Sequence, residues 1–327
     1  MKKRIFAVLL ILCGSIFISH EVFAAWTQAK GHSYNSLGLS YYKTTQKFTT
    51  LYTDGDGNVT TTSGETFNEQ QEEFNSTKIG YYGEYGITDT LTGIASIWWD
   101  WQRSNDTMTF AREDGPSGIG DITLGLRYNL SPNLMGSGVL MSVQGEVKIP
   151  EAYDYDHPLF NLSQGDGQYD TTLLLQFGRG LGKGYAVFNI GYKYRFENDQ
   201  FDPETFKPSD EFKMTLSGGW ALTSWLSLTG SVDWKDSVGN ADVSNEMYER
   251  YLTTGITEGS NARNQLIRDT LTLEQDSLNA TIGLQFNITP KWQTAVSYNR
   301  EFSGGGYFKT SNNALGRTVA VNLIYVN

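Results

Sequence analysis

The chain has 327 residues, with 25 Lys and Arg against 36 Asp and Glu, a formal net charge of −11, and one cysteine, Cys13. So acidic a chain lacks the clustered basic face that nucleic-acid backbones require, and no nucleic-acid partner is expected. A single cysteine excludes internal disulfides and Cys-based zinc sites.

In chain order, Lys2, Lys3 and Arg4 precede an apolar run from Ile5 to Ile18, and Val22-Phe23-Ala24 supplies a small-residue cleavage site. This is the pattern of a secretory signal peptide. The run is too short for a transmembrane helix, which needs about 20 residues. Residues 1–24 are read as a leader and 25–327 as the mature protein, with cleavage after Ala24 or Ala25. Leu10-Ile11-Leu12-Cys13-Gly14 loosely resembles a lipobox, but bulky Leu12 stands where a small residue is needed. Cleavage removes Lys2, Lys3, Arg4 and Glu21, three basic and one acidic residue, so −11 becomes −13.

The mature chain reads with period two, the alternation of a strand with one apolar and one polar face. Successive apolar series begin with Leu37, Leu39 and Tyr41; Ile79, Tyr81 and Tyr85; Leu91, Ala95, Ile97, Trp99 and Trp101; and Ile122, Leu124, Leu126, Tyr128 and Leu130. They continue with Val139 to Ile149, Leu173 to Phe177, Ala186 to Phe196, Phe212 to Trp220, Leu226 to Trp234, and Leu278 to Ile288. A weaker series, Trp292, Val296 and Tyr298, precedes the last, Val319, Val321, Leu323 and Tyr325. Each approaches the length of about 9 to 11 residues that carries a tilted strand across a bilayer.

The connections alternate between short and long. Short ones fall at Gly86 to Asp89, Ser131 to Asn133, Gly178 to Gly184, Thr223-Ser224 and Thr289 to Lys291; long, polar ones span 46–72, 104–117, 150–168, 197–210, 239–273 and 301–316. Aromatic residues gather at both ends of the apolar series, Trp99, Trp101, Tyr194, Phe196, Phe212 and Trp234 at the long-loop end and Tyr85, Tyr128, Trp220, Trp225, Trp292 and Tyr325 at the other. The sequence therefore predicts an all-β fold, a transmembrane antiparallel up-and-down barrel of about twelve strands in a bacterial outer membrane, with the long loops outward. A soluble sandwich would need two facing sheets to bury so many rings and would show mixed loop lengths.

Gly118-Ile119-Gly120-Asp121-Ile122-Thr123-Leu124-Gly125-Leu126-Arg127-Tyr128-Asn129-Leu130, with the preceding Tyr85-Gly86-Ile87-Thr88-Asp89-Thr90-Leu91, resembles the outer-membrane proteins associated with meta-pathway phenol degradation. That resemblance implies a barrel channel for passive uptake of small, often aromatic or hydrophobic, solutes. The series Val319 to Tyr325 also resembles the signal read by the barrel-assembly machinery, although Asn327 ends the chain where an aromatic is usual.

Assigning the other parity of each strand to the lumen turns Asp100, Asp121, Glu146, Lys148, Lys193, Arg195, Glu211, Lys213, Asp233 and Lys235 inward near the loop ends, with Lys78, Glu84 and Arg127 deeper. A barrel of this size is narrow enough for long side chains to constrict it. A collar of mixed sign predicts weak ion selectivity and a preference for small neutral or zwitterionic solutes, whereas a single-sign ring would select ions strongly.

Three other functions are open to such a chain. A hydrolase needs an imidazole beside a nucleophile, but the mature chain has only His32 and His157, neither in a nucleophile motif, and no enzymatic activity or cofactor is expected. Asp54, Asp56, Asn58 and Glu65 match the acidic positions of a calcium loop, with Val59 where the turn requires glycine, which leaves a loose calcium site at most. A surface barrel whose loops mediate adhesion or binding is the alternative to a channel. Outer-membrane lipid and lipopolysaccharide are the expected surroundings, and the acidic loop around His157 could bridge cations to lipopolysaccharide phosphates.

Overall fold

The computed structural model describes residues 25–53, 59–106, 112–158, 163–253, 273–308, 310 and 313–327. The leader reading, and Asp54, Asp56 and Asn58 of the calcium reading, lie outside the described residues, as does the side chain of Glu65.

Alternation of apolar and polar residues forces one face of each strand toward lipid and the other toward a lumen, and only a closed sheet leaves no unpaired edge within a bilayer. The chain meets both demands. The strands are β1 (Ser33–Thr53), β2 (Val59–Thr88), β3 (Leu91–Asp106), β4 (Arg112–Ile119), β5 (Ile122–Ser131), β6 (Val139–Ile149), β7 (Asp170–Gly180) and β8 (Gly184–Arg195). They continue with β9 (Phe206–Lys207), β10 (Asp210–Ala221), β11 (Leu226–Val238), β12 (Asp242–Val243), β13 (Ser277–Asn287), β14 (Trp292–Phe302), β15 (Asn313–Ala314) and β16 (Arg317–Val326). Each wall strand pairs antiparallel with its neighbours in sequence, β4 and β5 together act as one wall strand against β3, and β1 pairs β16 from Tyr34↔Val326 to Lys43↔Arg317. The result is a closed antiparallel barrel of 12 strands. Short β9 and β12 pair with each other outside it.

The inside-out distribution follows from the sequence parity. Leu37 and Leu39 are 53% and 52% exposed, whereas Ser36 and Ser40 on the opposite face are 1% and 6%. Both aromatic belts stand on the outer surface, where Trp99, Trp101, Tyr194, Phe196, Tyr85, Tyr128, Trp220, Trp225 and Trp292 are all exposed. Rings within a belt touch, as in Phe212 on Trp234 at 6.0 Å and Trp292 on Tyr325 at 4.9 Å.

The weakest stretches of the sequence pattern are fully formed. β14 is paired on both sides, and the chain closes at Asn327, whose backbone N–H donates to the Ser33 carbonyl at 3.0 Å and whose side-chain oxygen accepts from Lys291 Nζ at 2.9 Å.

Three expectations about the connections change. Residues 46–72 and 104–117, expected as loops, are largely strand, because β1, β2, β3 and β4 run on as paired hairpins past the membrane-length stretches. The turn expected at Ser131 to Asn133 extends to Gly138 and contains a short 3-10 turn, Leu134–Gly136. β7 runs through Gly180, so its turn is shorter than Gly178 to Gly184.

The loops are not merely solvated. Those after β6, β8 and β11 pack together, with α1 (Asn245–Thr253), around Tyr155, Phe206, Ala241, Met247 and Leu273, and Tyr153, Phe201, Val243 and Tyr248 lie against this core. Burying that many apolar side chains makes the three loops one cap.

Candidate functional site

Side chains facing the lumen gather at two levels. At the end of the short turns the chain before β1 turns into the barrel. Ala25 is fully buried against Leu140 and Val187, and Trp26 meets Tyr185 edge-on at 6.3 Å. Polar lumen groups hold this segment by its backbone: Ser142 Oγ donates to the Ala25 carbonyl at 2.6 Å, Arg127 Nη1 donates to the Trp26 carbonyl at 3.0 Å, and the Gln28 N–H donates to Thr92 Oγ1 at 2.8 Å. Gly178 makes room for it, since a Cβ there would stand 2.7 Å from Ala25 Cβ. Beneath, Arg127 pairs with Glu84 at 3.0 Å, and Glu84 also accepts from Tyr82 Oη at 2.6 Å and Gln28 Nε2 at 2.8 Å. An ion pair this deeply buried needs such extra hydrogen bonds to offset its desolvation.

At the long-loop end, seven of the ten expected collar residues form one network across the wall from the β4–β5 junction to β11. Lys148 meets Asp121 at 3.7 Å and Asp170 at 2.8 Å. Asp170 meets Lys193 at 3.5 Å and Arg195 at 3.6 Å. Glu211 then gathers Lys193 at 3.2 Å, Lys235 at 3.3 Å, Lys213 at 3.5 Å and Arg195 at 3.8 Å.

The other three stand apart. Asp100, on β3, pairs with Lys78 at 3.5 Å and accepts from Ser76 Oγ at 2.5 Å. Asp233 accepts hydroxyls from Thr215 at 2.8 Å and Ser231 at 3.0 Å. Glu146 joins the deeper group through Gln144, which accepts from Arg127 Nε at 2.7 Å. Lys78, expected deeper, is at the level of Asp100 because the register opposes the two residues directly; Glu84 and Arg127 do lie deep.

Two members were not foreseen. Asp170 opens β7 on the parity of Thr172 and Gln176, so extending the alternation by one step would have found it. Asp166 comes from the loop and meets Lys148 at 2.6 Å and Arg195 at 3.4 Å. Its entry depends on its two glycine neighbours. A Cβ at Gly165 would strike Tyr153 and Asp121, and Gly167 has φ +73° with Tyr155 and Asn198 against its open side. Only glycine takes that backbone without strain. Burial alone would raise the Asp166 carboxyl, but Lys148, Arg195 and Lys193 beside it hold it well below the ordinary carboxylate range. Tyr153 Oη, donating to Asp121 at 2.6 Å, ties the same loop to the wall.

The opposite wall carries mainly rings and hydroxyls, with fewer charges, among them Lys43 against Glu73 at 2.6 Å and Glu301, which accepts from Tyr42 Oη at 3.0 Å. Tyr34 and Tyr82 meet at 6.2 Å, Tyr42 and Phe74 at 6.1 Å, and Lys78 Nζ lies 5.5 Å from the Trp98 ring. Ser36, Ser40, Thr44, Asn299, Thr318 and Asn322 are buried on β1, β14 and β16.

The two histidines have other duties. His32 Nδ1 lies 2.6 Å from the Asn327 carbonyl, clipping the two ends of the barrel together. His157 Nε2 is 2.9 Å from Glu204, which also takes the Arg250 guanidinium at 2.8 Å, fastening the cap. Among the described residues no cluster of three or more His, Cys, Asp or Glu is arranged to hold a metal.

In fold the chain is similar to an outer membrane channel from Pseudomonas putida F1, with 14% identity over 93% of this chain and 98% of that one and a TM-score of 0.61. It also overlays more loosely on the NanC porin, with 6% identity, coverage of 89% and 98% and a TM-score of 0.47. The TodX monoaromatic hydrocarbon channel gives 9%, 92% and 91%, and 0.43. Among curated proteins none matches the sequence. A closed barrel with two exposed aromatic belts is a protein of the bacterial outer membrane. Residues 44–257, more than half of the chain, match the family described as "Putative MetA-pathway of phenol degradation", and the chain belongs to that family.

Proposed function

We propose that this protein is an outer-membrane channel for passive uptake of small neutral solutes, aromatic ones among them, and that it carries out no chemistry on them. The observation that carries the reading is the segregation of the lumen. Most lumen charges crowd one wall and are spent on one another from Asp121 to Lys235, while the facing wall is mainly tyrosine rings, hydroxyls and amides, its few lumen charges also partnered, Lys78 by Asp100 and Glu301 by Tyr42. A charge already surrounded by counter-charges attracts ions weakly, so the collar acts as a narrow filter with little selectivity by sign. A ring bearing one polar group suits the facing wall. Membership of a phenol-degradation family and the likeness in fold to a Pseudomonas putida channel support the same reading. The barrel-assembly machinery would take β16 as its signal, and lipopolysaccharide would surround the outer aromatic belt.

Planar-bilayer recording with purified protein tests this. Small conductance steps with little preference between potassium and chloride are expected; an absence of both conductance and neutral-solute uptake into liposomes contradicts it.

A further inference from the structure

Ala25 sits in a niche of the lumen wall. Antiparallel pairing sets Leu140 on β6, Gly178 on β7, Val187 on β8 and Ser217 on β10 in one row across four strands, and Ser142 opposes Gln176 in the row above. The Ala25 methyl clusters with Leu140 and Val187 where Gly178 has no side chain, and the Ala25 carbonyl accepts from Ser142 Oγ at 2.6 Å. The wall thus places both the side chain and the carbonyl of this one residue.

Two buried polar atoms bordering the niche are open. Gln176 is 1% exposed and its Oε1 has no hydrogen-bond partner; Ser217 is 8% exposed and its Oγ has none. Gln176 adjoins Ser142, which holds the Ala25 carbonyl, and Ser217 adjoins Val187, which packs with the Ala25 methyl. Buried polar atoms are nearly always paired, so two open acceptors side by side mark donors still to arrive. A peptide nitrogen carries one N–H, whereas a free amino group carries at least two.

We propose that the leader is cut after Ala24 and that the amino group freed at Ala25 seats in this niche, donating to Gln176 Oε1 and Ser217 Oγ, so that processing completes the segment entering the lumen. The cut is a hydrolysis by the cell's signal peptidase: water adds across one peptide bond, its hydroxyl going to the Ala24 carbonyl carbon and its hydrogen to the Ala25 nitrogen. Cutting after Ala25 instead is disfavoured twice. It would put bulky Phe23, in place of Val22, at the third position before the bond, where small residues are preferred. It would also remove the methyl and the carbonyl that the niche holds, leaving Ser142 Oγ without its acceptor and a hollow at Gly178. This inference is independent of whether the barrel conducts.

The test uses the full protein purified from outer membranes in detergent. Its intact mass should correspond to residues 25–327; a start at Trp26 or a retained leader overturns the proposal. Brief acetylation near neutral pH, read on the tryptic peptide 25–30, should modify the Ala25 amine about tenfold more slowly in the folded barrel than in the denatured chain, as two neutral hydrogen bonds would protect it. Gln176→Leu and Gly178→Val, the second crowding the niche without removing either open atom, should each raise the folded-state rate severalfold, with heat-shifted gel mobility verifying that the variant is a folded barrel. An Ala25 amine that reacts as fast in the folded unmodified protein as in the denatured chain overturns the seat whatever the variants do. So does an amine that is equally slow in the unmodified protein and in both folded variants.

Discussion

Arg127 donates to the carbonyl oxygen of Trp26 at 3.0 Å from the floor of the lumen, so a residue of the barrel wall holds the chain segment that enters it. The same guanidinium is the partner of Glu84, which binds Gln28 of that segment. Plug and wall therefore share one buried polar group.

Replacing Trp26 by Ala should loosen the plug and raise single-channel conductance about twofold, as expected where side chains set the pore width. Arg127→Leu should do the same and also lower barrel stability by about 3 kcal/mol, because Glu84 is left as an uncompensated buried charge. Single-channel recording and thermal unfolding separate the two effects.

Glu211 and Lys148 should shift ion selectivity in opposite directions. Glu211→Gln leaves Lys193, Lys213 and Lys235 without the carboxylate they share and should turn the pore toward anions. Lys148→Met removes one cationic partner from each of Asp121, Asp166 and Asp170 and should turn it toward cations. Reversal potentials in a potassium chloride gradient should move to opposite sides of the value for the unmodified protein, by a permeability ratio of about threefold each way.

Met247 is completely buried in the cap core, and truncation to Ala should cost the cap about 2 to 3 kcal/mol through the cavity left behind. The barrel below has its own ladder of hydrogen bonds. Hydrogen exchange should therefore accelerate in α1 and around Phe206 while the strand amides stay protected.

The cap should also loosen in acid. The Arg250 guanidinium bonded to Glu204 holds its carboxyl below the ordinary carboxylate value, with His157 adding to the effect. A depressed carboxylate gives stability that is present above its unfolded value of about 4.3. That stability is lost as pH falls through the lower folded value. Exchange in α1 should be steady, after correction for intrinsic rates, from neutral pH down to about pH 5 and should rise below about pH 4. Glu204→Gln should already show the acid-like rate at neutral pH.

The twelve wall strands were legible because period two survives along each of them, even in β14, where Trp292, Val296 and Tyr298 are its sparse markers. The hairpin extensions were not. Residues 59–76 lie outside the bilayer-length stretch, where nothing requires an apolar face, so their strand character leaves no alternation to read. Most collar residues followed from parity, and Asp170 would have with one further step. Asp166 did not, because a loop residue has no face assigned by period. The cap core and the plug escaped for the same reason: Tyr155, Phe206, Met247 and Leu273 are single apolar residues on separate segments, and Ala25 and Trp26 precede the first periodic strand.

The most direct measurement of the account is the initial rate of uptake of labelled phenol, against equally small but charged benzoate, by cells that differ only in carrying this barrel. The barrel should raise phenol uptake severalfold and benzoate uptake little. Identical phenol uptake with and without the barrel would contradict it.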